Sequence, residues 1–309
     1  MESDNRRTFG LTLMACTLLM WGSLPLQLKI LISQIDPTTL TWYRFTGAAI
    51  VLAVIGRRTF VKDLRQAWCR RTVVLLLLGG IGLTANYLTY LKGLDHLTPS
   101  TAQILMQTVP FMVLGGGIVI FGEAFAGRQW CGVVFLAIGS VLFFNQRVDQ
   151  IAFGSDLLTG IGFILFSAVS WTTFLLSQKA LLAHLRSRTI LLVCYLTGFL
   201  ILGTRANVGT ILSLDTVFLT LLLSATLLAV ISYLTFATAM RRVPATTAGL
   251  TIANIPLITL LFMLTFAPHT DLLAPENLNT MALAGACLVV FGSAIGAMGP
   301  KTEVSRSTE

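Results

Sequence analysis

The side chains best suited to bind a small molecule are large amphipathic groups that recur at matched positions in the two halves of the chain. Tyr87 and Tyr233 lie 146 positions apart, and Trp21 and Trp171 lie 150 positions apart. Aromatic rings stack on flat or apolar groups, while a phenol hydroxyl or an indole N–H adds a hydrogen bond. Together with amide side chains, they suit a solute that needs both kinds of contact. The predicted binding residues are Trp21, Asn86, Tyr87, Tyr90, Gln103, Gln107, Trp171, Tyr233 and Asn254.

The spacing of the polar residues indicates which helix faces they share. Asn86 and Tyr90 are four residues apart, as are Gln103 and Gln107, so each pair lies on one face of a helix. A polar group is costly against lipid, and such faces are therefore expected to meet partner helices or a wet cavity. A hydrogen bond between helices is the better interpretation for any single Ser or Thr. For the matched aromatic and amide residues together, a central cavity is favoured.

Composition shows what must hold these residues in place. Hydrophobic residues make up 55% of the 309 positions, charged residues only 11%, and the mean hydropathy is +0.82. One soluble core cannot bury so much apolar surface, so the solvent is predicted to be a lipid bilayer. Apolar stretches long enough to cross it predict an all-α membrane protein with ten spans. These are Thr8 to Leu28, Thr39 to Ile55, Thr72 to Leu94, Ser100 to Phe121, Arg128 to Phe144, Gly154 to Gln178, Thr189 to Gly203, Asp215 to Met240, Thr246 to Phe266 and Thr280 to Met298.

An internal repeat divides the ten spans into two sets of five. The segment from Tyr87 to Pro110 recurs from Tyr233 to Pro256, and the matches on either side keep the same order. Because five is odd, the second set must enter the membrane from the opposite side, which predicts inverted repeats. The predicted boundaries are 1–145 for the first repeat, 146–300 for the second and 301–309 for a cytoplasmic tail.

The distribution of basic residues predicts the orientation in the membrane. With the amino terminus inside, sixteen of the 21 Lys and Arg residues fall on the cytoplasmic side. The other side receives Lys29, Lys92, Arg147 and Arg205. Short cytoplasmic loops are rich in Lys and Arg, so both termini are predicted to be cytoplasmic. Membrane orientation also accounts for the net charge of +8, and no nucleic-acid partner is expected.

Two prolines and two charged residues have predicted roles near or within the spans. Pro110 and Pro256 interrupt the hydrogen bonding of matched spans, where they act either as hinges or as fixed kinks that shape the cavity. Arg44, in the second span, is interpreted as a structural or outward-reaching charge, and pairing with a substrate carboxylate is the alternative. Glu123 ends the fourth span and is expected to pair with a cytoplasmic Arg.

Glycines seven residues apart set the fifth and tenth spans apart from the others. Gly132 and Gly139 recur as Gly285 and Gly292, and such faces allow helix backbones to approach closely. Both spans have few polar groups at mid-span. They are predicted to pack at the rim of the bundle or to contact a second copy of the chain in a homo-oligomer.

Other functional classes lack the residues that they need. No Asp or Glu lies at mid-span, so coupling to an ion gradient has no direct support from the sequence. The scattered Cys residues and the three His residues give no metal, cofactor or catalytic pattern, so no cofactor is expected. An intramembrane enzyme or a channel remains the alternative to a carrier.

The chain resembles the drug/metabolite transporter superfamily, specifically its EamA-like branch of ten-helix carriers. The resemblance is carried by Trp21-Gly22-Ser23, Arg44, Pro110 followed by Gly122-Glu123, the fifth span with Gly139, and Trp171, and it covers Thr8 to Met298. It implies two inverted five-helix repeats around a central cavity, in the inner membrane of a bacterial cell. It also implies export of small metabolites, often amino acids. The ninth span ends Phe266-Ala267-Pro268-His269 where many relatives repeat the Gly-Glu ending, so a symmetric role for Glu123 is not expected.

Overall fold

A computed structural model describes residues 2–56, 59–66, 69–122, 127–146, 155–239, 242, 252–276 and 278–297. The backbone there forms helices, as expected where lipid offers no hydrogen bonds and each chain segment must satisfy its own. Short 3-10 helices at Val208–Ser213 and Ala267–His269 lie between the longer elements. The helices are α1 Glu2–Leu31, α2 Pro37–Gly56, α3 Phe60–Gln66, α4 Arg70–His96, α5 Pro99–Met106, α6 Val109–Phe121, α7 Gly127–Phe143, α8 Asp156–Leu181, α9 Ser187–Gly203, α10 Thr216–Ala239, α11 Ile255–Phe266 and α12 Thr280–Ala297.

The helices account for the predicted spans. Within the described residues, six helical stretches are long and apolar enough to cross a bilayer, and four shorter apolar helices accompany them. The fourth span consists of α5 and α6 in series, and α3 is a short additional helix between the second and third spans. The first part of the ninth span lies outside the described residues. The protein is therefore an all-helical membrane protein, as the sequence predicts.

The predicted interruptions of the fourth and ninth spans are present. Helix α5 ends at Met106 and α6 begins at Val109, which makes Pro110 the second residue of α6. Helix α11 begins at Ile255, so Pro256 occupies the same place in the second half. A proline at the start of a helix removes no bond, because the first N–H groups have no partner within the helix. Each proline thus follows a break in its span, and a hinge role for the two prolines stays a prediction.

The neighbours of each helix reveal the symmetry of the bundle. Helix α4 packs on α8 as α1 packs on α10, and α4 packs on α9 as α10 packs on α2. Helix α1 packs on α11 as α8 packs on α6, and two further pairs join equivalent spans to each other: α2 with α9, and α7 with α12. Suppose that each span is exchanged with its equivalent, five spans away in the chain. Every one of these contacts then becomes either itself or another contact of the same set. The two halves are therefore related by a pseudo-twofold axis.

Glycine contacts between α7 and α12 show that the two repeats are inverted. A Cβ on Gly139 would lie 2.7 Å from the carbonyl oxygen of Gly285, and a Cβ on Gly292 would lie 2.6 Å from that of Gly132. The numbering thus rises along one helix as it falls along the other, so the helices are antiparallel. Gly132 is the repeat equivalent of Gly285, and Gly139 is that of Gly292. Exchanging equivalent glycines therefore turns one of these contacts into the other, as a twofold axis requires. These glycine faces are used within the chain, so they are not free to contact a second copy, and a homo-oligomer stays a prediction.

A second matched contact aligns the second span with the seventh. A Cβ on Gly80 would meet the Thr197 side chain at 2.7 Å, and a Cβ on Gly47 would meet the Thr226 side chain at 2.6 Å. Gly80 and Thr226 are repeat equivalents at the offset of 146. Because the twofold axis relates the two contacts, their partners Thr197 and Gly47 are also equivalents, at an offset of 150. The same offset pairs Arg44 with Cys194 and Phe45 with Tyr195.

Gly139→Ala is expected to destabilise the protein although alanine is the better helix former. In an open helical position, Gly→Ala stabilises by about 1 kcal/mol. At Gly139 the methyl group would press on the backbone of α12, and overpacking costs about 1–3 kcal/mol. Thermal unfolding in detergent measures the difference. Gly162→Ala in α8, where a Cβ would meet nothing within 4 Å, is the control and is expected to raise the melting temperature. Equal stabilisation by both changes would contradict the close packing of α7 on α12.

Candidate functional site

The centre of the bundle holds a group of aromatic rings from both halves. Tyr233 of α10 meets Trp21 of α1 edge-on, with 5.6 Å between ring centroids. The Trp171 indole of α8 lies beside the Tyr233 hydroxyl, and Tyr87 of α4 is a further neighbour. All four side chains are partly buried. The structure therefore brings together the four aromatic residues that recur in the sequence.

Arg44 of α2 lies against this group instead of reaching outward. Its side chain is only 3% exposed, and its guanidinium carbon lies 4.8 Å from the centroid of the Tyr87 ring. This is the geometry of a cation–π contact. Phe45 meets the rings of Tyr87 and Tyr195 edge-on, at 4.8 and 5.0 Å between centroids. The outward-reaching interpretation of Arg44 is therefore wrong for this structure, because α2 turns the side chain inward.

Asn86 joins two helices. Its amide nitrogen donates to the Ser167 hydroxyl at 2.8 Å and to the Ser167 carbonyl at 3.2 Å. The Ser167 hydroxyl donates in return to the Asn86 carbonyl at 3.1 Å. The side chain is buried and its amide nitrogen is engaged. In this structure Asn86 holds α4 against α8, and contact with a solute stays a prediction.

Gln107 lies where the two halves meet at the pseudo-twofold axis. Its amide nitrogen donates to the carbonyl of Ala253, which is its own repeat equivalent, at 3.1 Å. Its amide oxygen accepts from the Ser293 hydroxyl at 2.6 Å. Gln107 is buried and bonded at both ends. It connects the break in the fourth span to the ninth and tenth spans, so a role in binding a solute would require these bonds to exchange.

The remaining predicted residues surround the same region less tightly. Gln103 donates to the Tyr90 hydroxyl at 3.2 Å, and both side chains are half-buried. Asn254 immediately precedes α11 and is also half-buried. Glu123 lies outside the described residues. Within the part of the chain that the structure describes, no group of three His, Cys, Asp or Glu side chains could hold a metal ion.

Asn86→Ala is expected to affect stability more than transport. The change removes the two hydrogen bonds that the Asn86 amide donates between α4 and α8, which are worth about 1 kcal/mol together in a membrane protein. A lower melting temperature with an unchanged KM for transport is the expected result. Thr173→Ala is the control, since Thr173 is half-buried and its hydroxyl donates to the Val169 carbonyl of its own helix. A large rise in KM without loss of stability would instead place Asn86 in contact with the solute.

Three residues of the centre were not predicted from the sequence. Phe45 and Tyr195 contact each other and are fully buried, and Ser293 provides the partner of Gln107. The signal for Phe45 and Tyr195 was their shared offset of 150, which appears once the second span is aligned with the seventh. The signal for Ser293 is weaker: it follows Gly292 as Ser140 follows the matched Gly139.

Matched contacts tie the two halves together at opposite ends of the bundle. At one end, the Thr189 hydroxyl at the start of α9 donates to the Asp63 carboxylate of α3 at 2.8 Å. At the other end, the Asn207 backbone N–H after α9 donates to the Thr39 hydroxyl at the start of α2 at 2.9 Å. Thr39 and Thr189 are repeat equivalents at the offset of 150. The aromatic centre thus lies between two closures of related construction.

A bundle of apolar helices built from two inverted repeats, with polar groups collected at its centre, is the architecture of a secondary transporter. The family model described as the EamA-like transporter family matches residues 8–145 and 158–297. The chain belongs to this family, so it is a membrane transporter and not an enzyme.

Similar proteins cover nearly the same length. An uncharacterized transporter of Haemophilus influenzae is 33% identical over 295 residues, which cover 94% of this chain and 95% of the relative. The uncharacterized inner membrane transporter YhbE of Escherichia coli is 30% identical over 294 residues, covering 94% and 91%. A protein crystal structure with a TM-score of 0.62 and 21% identity covers 94% of this chain and 98% of its own. At that identity, the likeness shows the fold alone.

Proposed function

We propose that the protein carries a small metabolite, an amino acid or a related solute, out of a bacterial cell by alternating access through its central aromatic site. The observation that carries this proposal is the meeting of Trp21 and Tyr233, beside Trp171, from spans of both halves. A solute held among these rings would contact both repeats at once. A relative movement of the repeats would then change the face from which the site is reached.

The closures at the two ends support alternating access. The Thr189–Asp63 bond closes one end of the gap between the halves, and the Asn207–Thr39 bond closes the other. A carrier must open one end while the other stays closed, so two separate closures are the minimum that it needs. Both are hydrogen bonds near the ends of helices, and opening either end would have to bring water to the groups that it separates.

The proposed location is the bacterial inner membrane, with both termini in the cytoplasm. The inner membrane relative from Escherichia coli and the excess of basic residues on one side support this arrangement. A reporter that is active only in the cytoplasm is expected to be active when fused to either terminus. Activity at one terminus alone would require an odd number of spans and would contradict the orientation.

Counterflow in liposomes containing the purified protein is expected to show carrier behaviour. Unlabelled solute loaded inside the vesicles should accelerate the entry of labelled solute, because the site returns outward with a solute bound. The panel includes the amino acids and their close derivatives. A channel, the alternative function, would give labelled entry that preloading does not accelerate, and no accelerated entry for any of these solutes would overturn the proposal.

A further inference from the structure

Arg44 is a buried cation for which the described part of the chain provides no counterion. The side chain is 3% exposed, and its Nε atom is fully buried without a hydrogen-bond partner. The Asp and Glu residues that the structure describes lie in loops, near helix ends or in the short helix α3: Glu2, Asp4, Asp36, Asp63, Asp95, Asp156, Asp215, Asp271 and Glu276. A buried charge is costly unless it is paired and hydrogen-bonded. The Tyr87 ring offsets part of this cost, and no anion of the described chain offsets the rest.

The groups around Arg44 would also suit a bound anion. Tyr90, Tyr195 and Tyr233 lie within electrostatic range of the guanidinium. The Tyr195 hydroxyl is fully buried and lies beside Tyr87 without reaching hydrogen-bond geometry. A phenol hydroxyl can donate to a carboxylate oxygen. A cation and an unused donor thus border the aromatic centre.

The charge is confined to one side of the pseudo-twofold axis. The repeat equivalent of Arg44 is Cys194, a buried and uncharged residue of α9. The Trp21 ring lies between two further aromatic rings of α10, with its centroid 5.6 Å from that of Tyr233 and 5.1 Å from that of Phe236. A solute in the site would therefore meet one cation, Arg44, beside the aromatic rings of Tyr87, Tyr233 and Trp21.

We propose that Arg44 binds the carboxylate of the transported solute, while Trp21, Trp171 and Tyr233 contact its apolar part. One guanidinium balances one carboxylate and can donate two parallel hydrogen bonds to it. A phosphate ester carries nearly twice that charge and would leave part of it without a partner. This inference rests on the proposed function, since it names the class of solute that the same site takes.

The test compares carboxylic acids with their amides. Purified wild-type protein is screened by thermal shift against amino acids, 3-phenylpropionate and indole-3-acetate, each beside the corresponding carboxamide. At least one acid is expected to raise the melting temperature, because a ligand that binds the folded state stabilises it. Its amide is expected to bind about ten- to a hundred-fold more weakly, because it lacks the charge that strengthens the hydrogen bonds to Arg44.

Two variants separate binding from folding. Arg44→Gln is expected to remove the difference between acid and amide, whereas Arg44→Lys retains part of it because the charge remains. If Arg44→Gln does not fold, Tyr195→Phe, which removes only a hydroxyl, is expected to weaken binding of the acid more than that of the amide. Equal stabilisation by acid and amide, no stabilisation by any acid, or an undiminished difference in a folded Arg44→Gln protein would overturn the proposal. In that case, counterflow with an uncharged solute would still support the proposed carrier function. The experiments can therefore contradict carboxylate binding by Arg44 without contradicting the carrier function.

Discussion

Transport by a Trp171→Ala variant is expected to require about thirty-fold more solute than transport by the wild type. Trp171 lies beside the Tyr233 hydroxyl at the centre of the bundle, and its partly accessible ring offers a large apolar face. Losing such a face from a binding site costs about 2 kcal/mol, which corresponds to about thirty-fold in affinity. The measurement is the KM for uptake into liposomes, with the amount of folded protein determined in the same preparation.

Trp130→Ala is the matched control for this change. Trp130 of α7 is 63% exposed, and its helix packs away from the aromatic centre against α12. Its replacement is expected to leave the KM within about two-fold of the wild-type value, because surface substitutions change free energies by about 0.5 kcal/mol or less. If Trp171→Ala has an unchanged KM for a solute that the wild type carries, Trp171 does not belong to the binding site.

Cross-linking either closure is expected to abolish transport reversibly. Thr189 and Asp63 touch at one end of the bundle, and Thr39 and Asn207 touch at the other. Cysteine pairs at these positions are joined by a short disulfide-containing thiol cross-linker, in a chain whose exposed Cys16, Cys69, Cys131 and Cys287 have been replaced by Ser. Each cross-link fixes one end shut, so the site can no longer be reached from both faces. A reductant should restore the activity.

The single-cysteine variants serve as controls for the cross-linker. Each is expected to react with the reagent and to keep its transport activity, because one modified thiol leaves the two halves unconnected. Full transport in either cross-linked pair would show that the corresponding end does not open during the cycle. That result would contradict alternating access while leaving the symmetry of the fold intact.

The sequence predicts the elements and the aromatic centre because both leave a periodic or repeated signal. The ten spans follow from apolar length, and Trp21 and Tyr233, which meet in the structure, are marked by identical residues in the other half at offsets of 150 and 146. The breaks before Pro110 and Pro256 can be predicted because the proline recurs at the matched position of both repeats. Backbone hydrogen bonding in lipid and the repeat itself restrict these features to few arrangements.

The partners of individual polar groups are not available from the sequence. Asn86 and Gln107 are recognisable as interior residues, but their bonds to Ser167 and Ser293 depend on how each helix is rotated against its neighbour. The direction of Arg44 depends on the rotation of α2 in the same way. The sequences of the second and seventh spans have too few identical residues to be aligned directly. Their alignment comes from the structure, through the matched contacts that Gly47 and Gly80 make with threonine side chains.

Accessibility of a single cysteine at the centre tests alternating access most directly. In the chain without exposed cysteines, Trp171→Cys is combined with one cross-linked closure at a time, and a membrane-impermeant thiol reagent is applied to each face. We expect labelling from the cytoplasmic face when the Thr39–Asn207 pair is joined, and from the opposite face when the Thr189–Asp63 pair is joined. Labelling from both faces of one cross-linked form would indicate a continuous pore, and labelling from neither face in both forms would mean that Trp171 does not line the path.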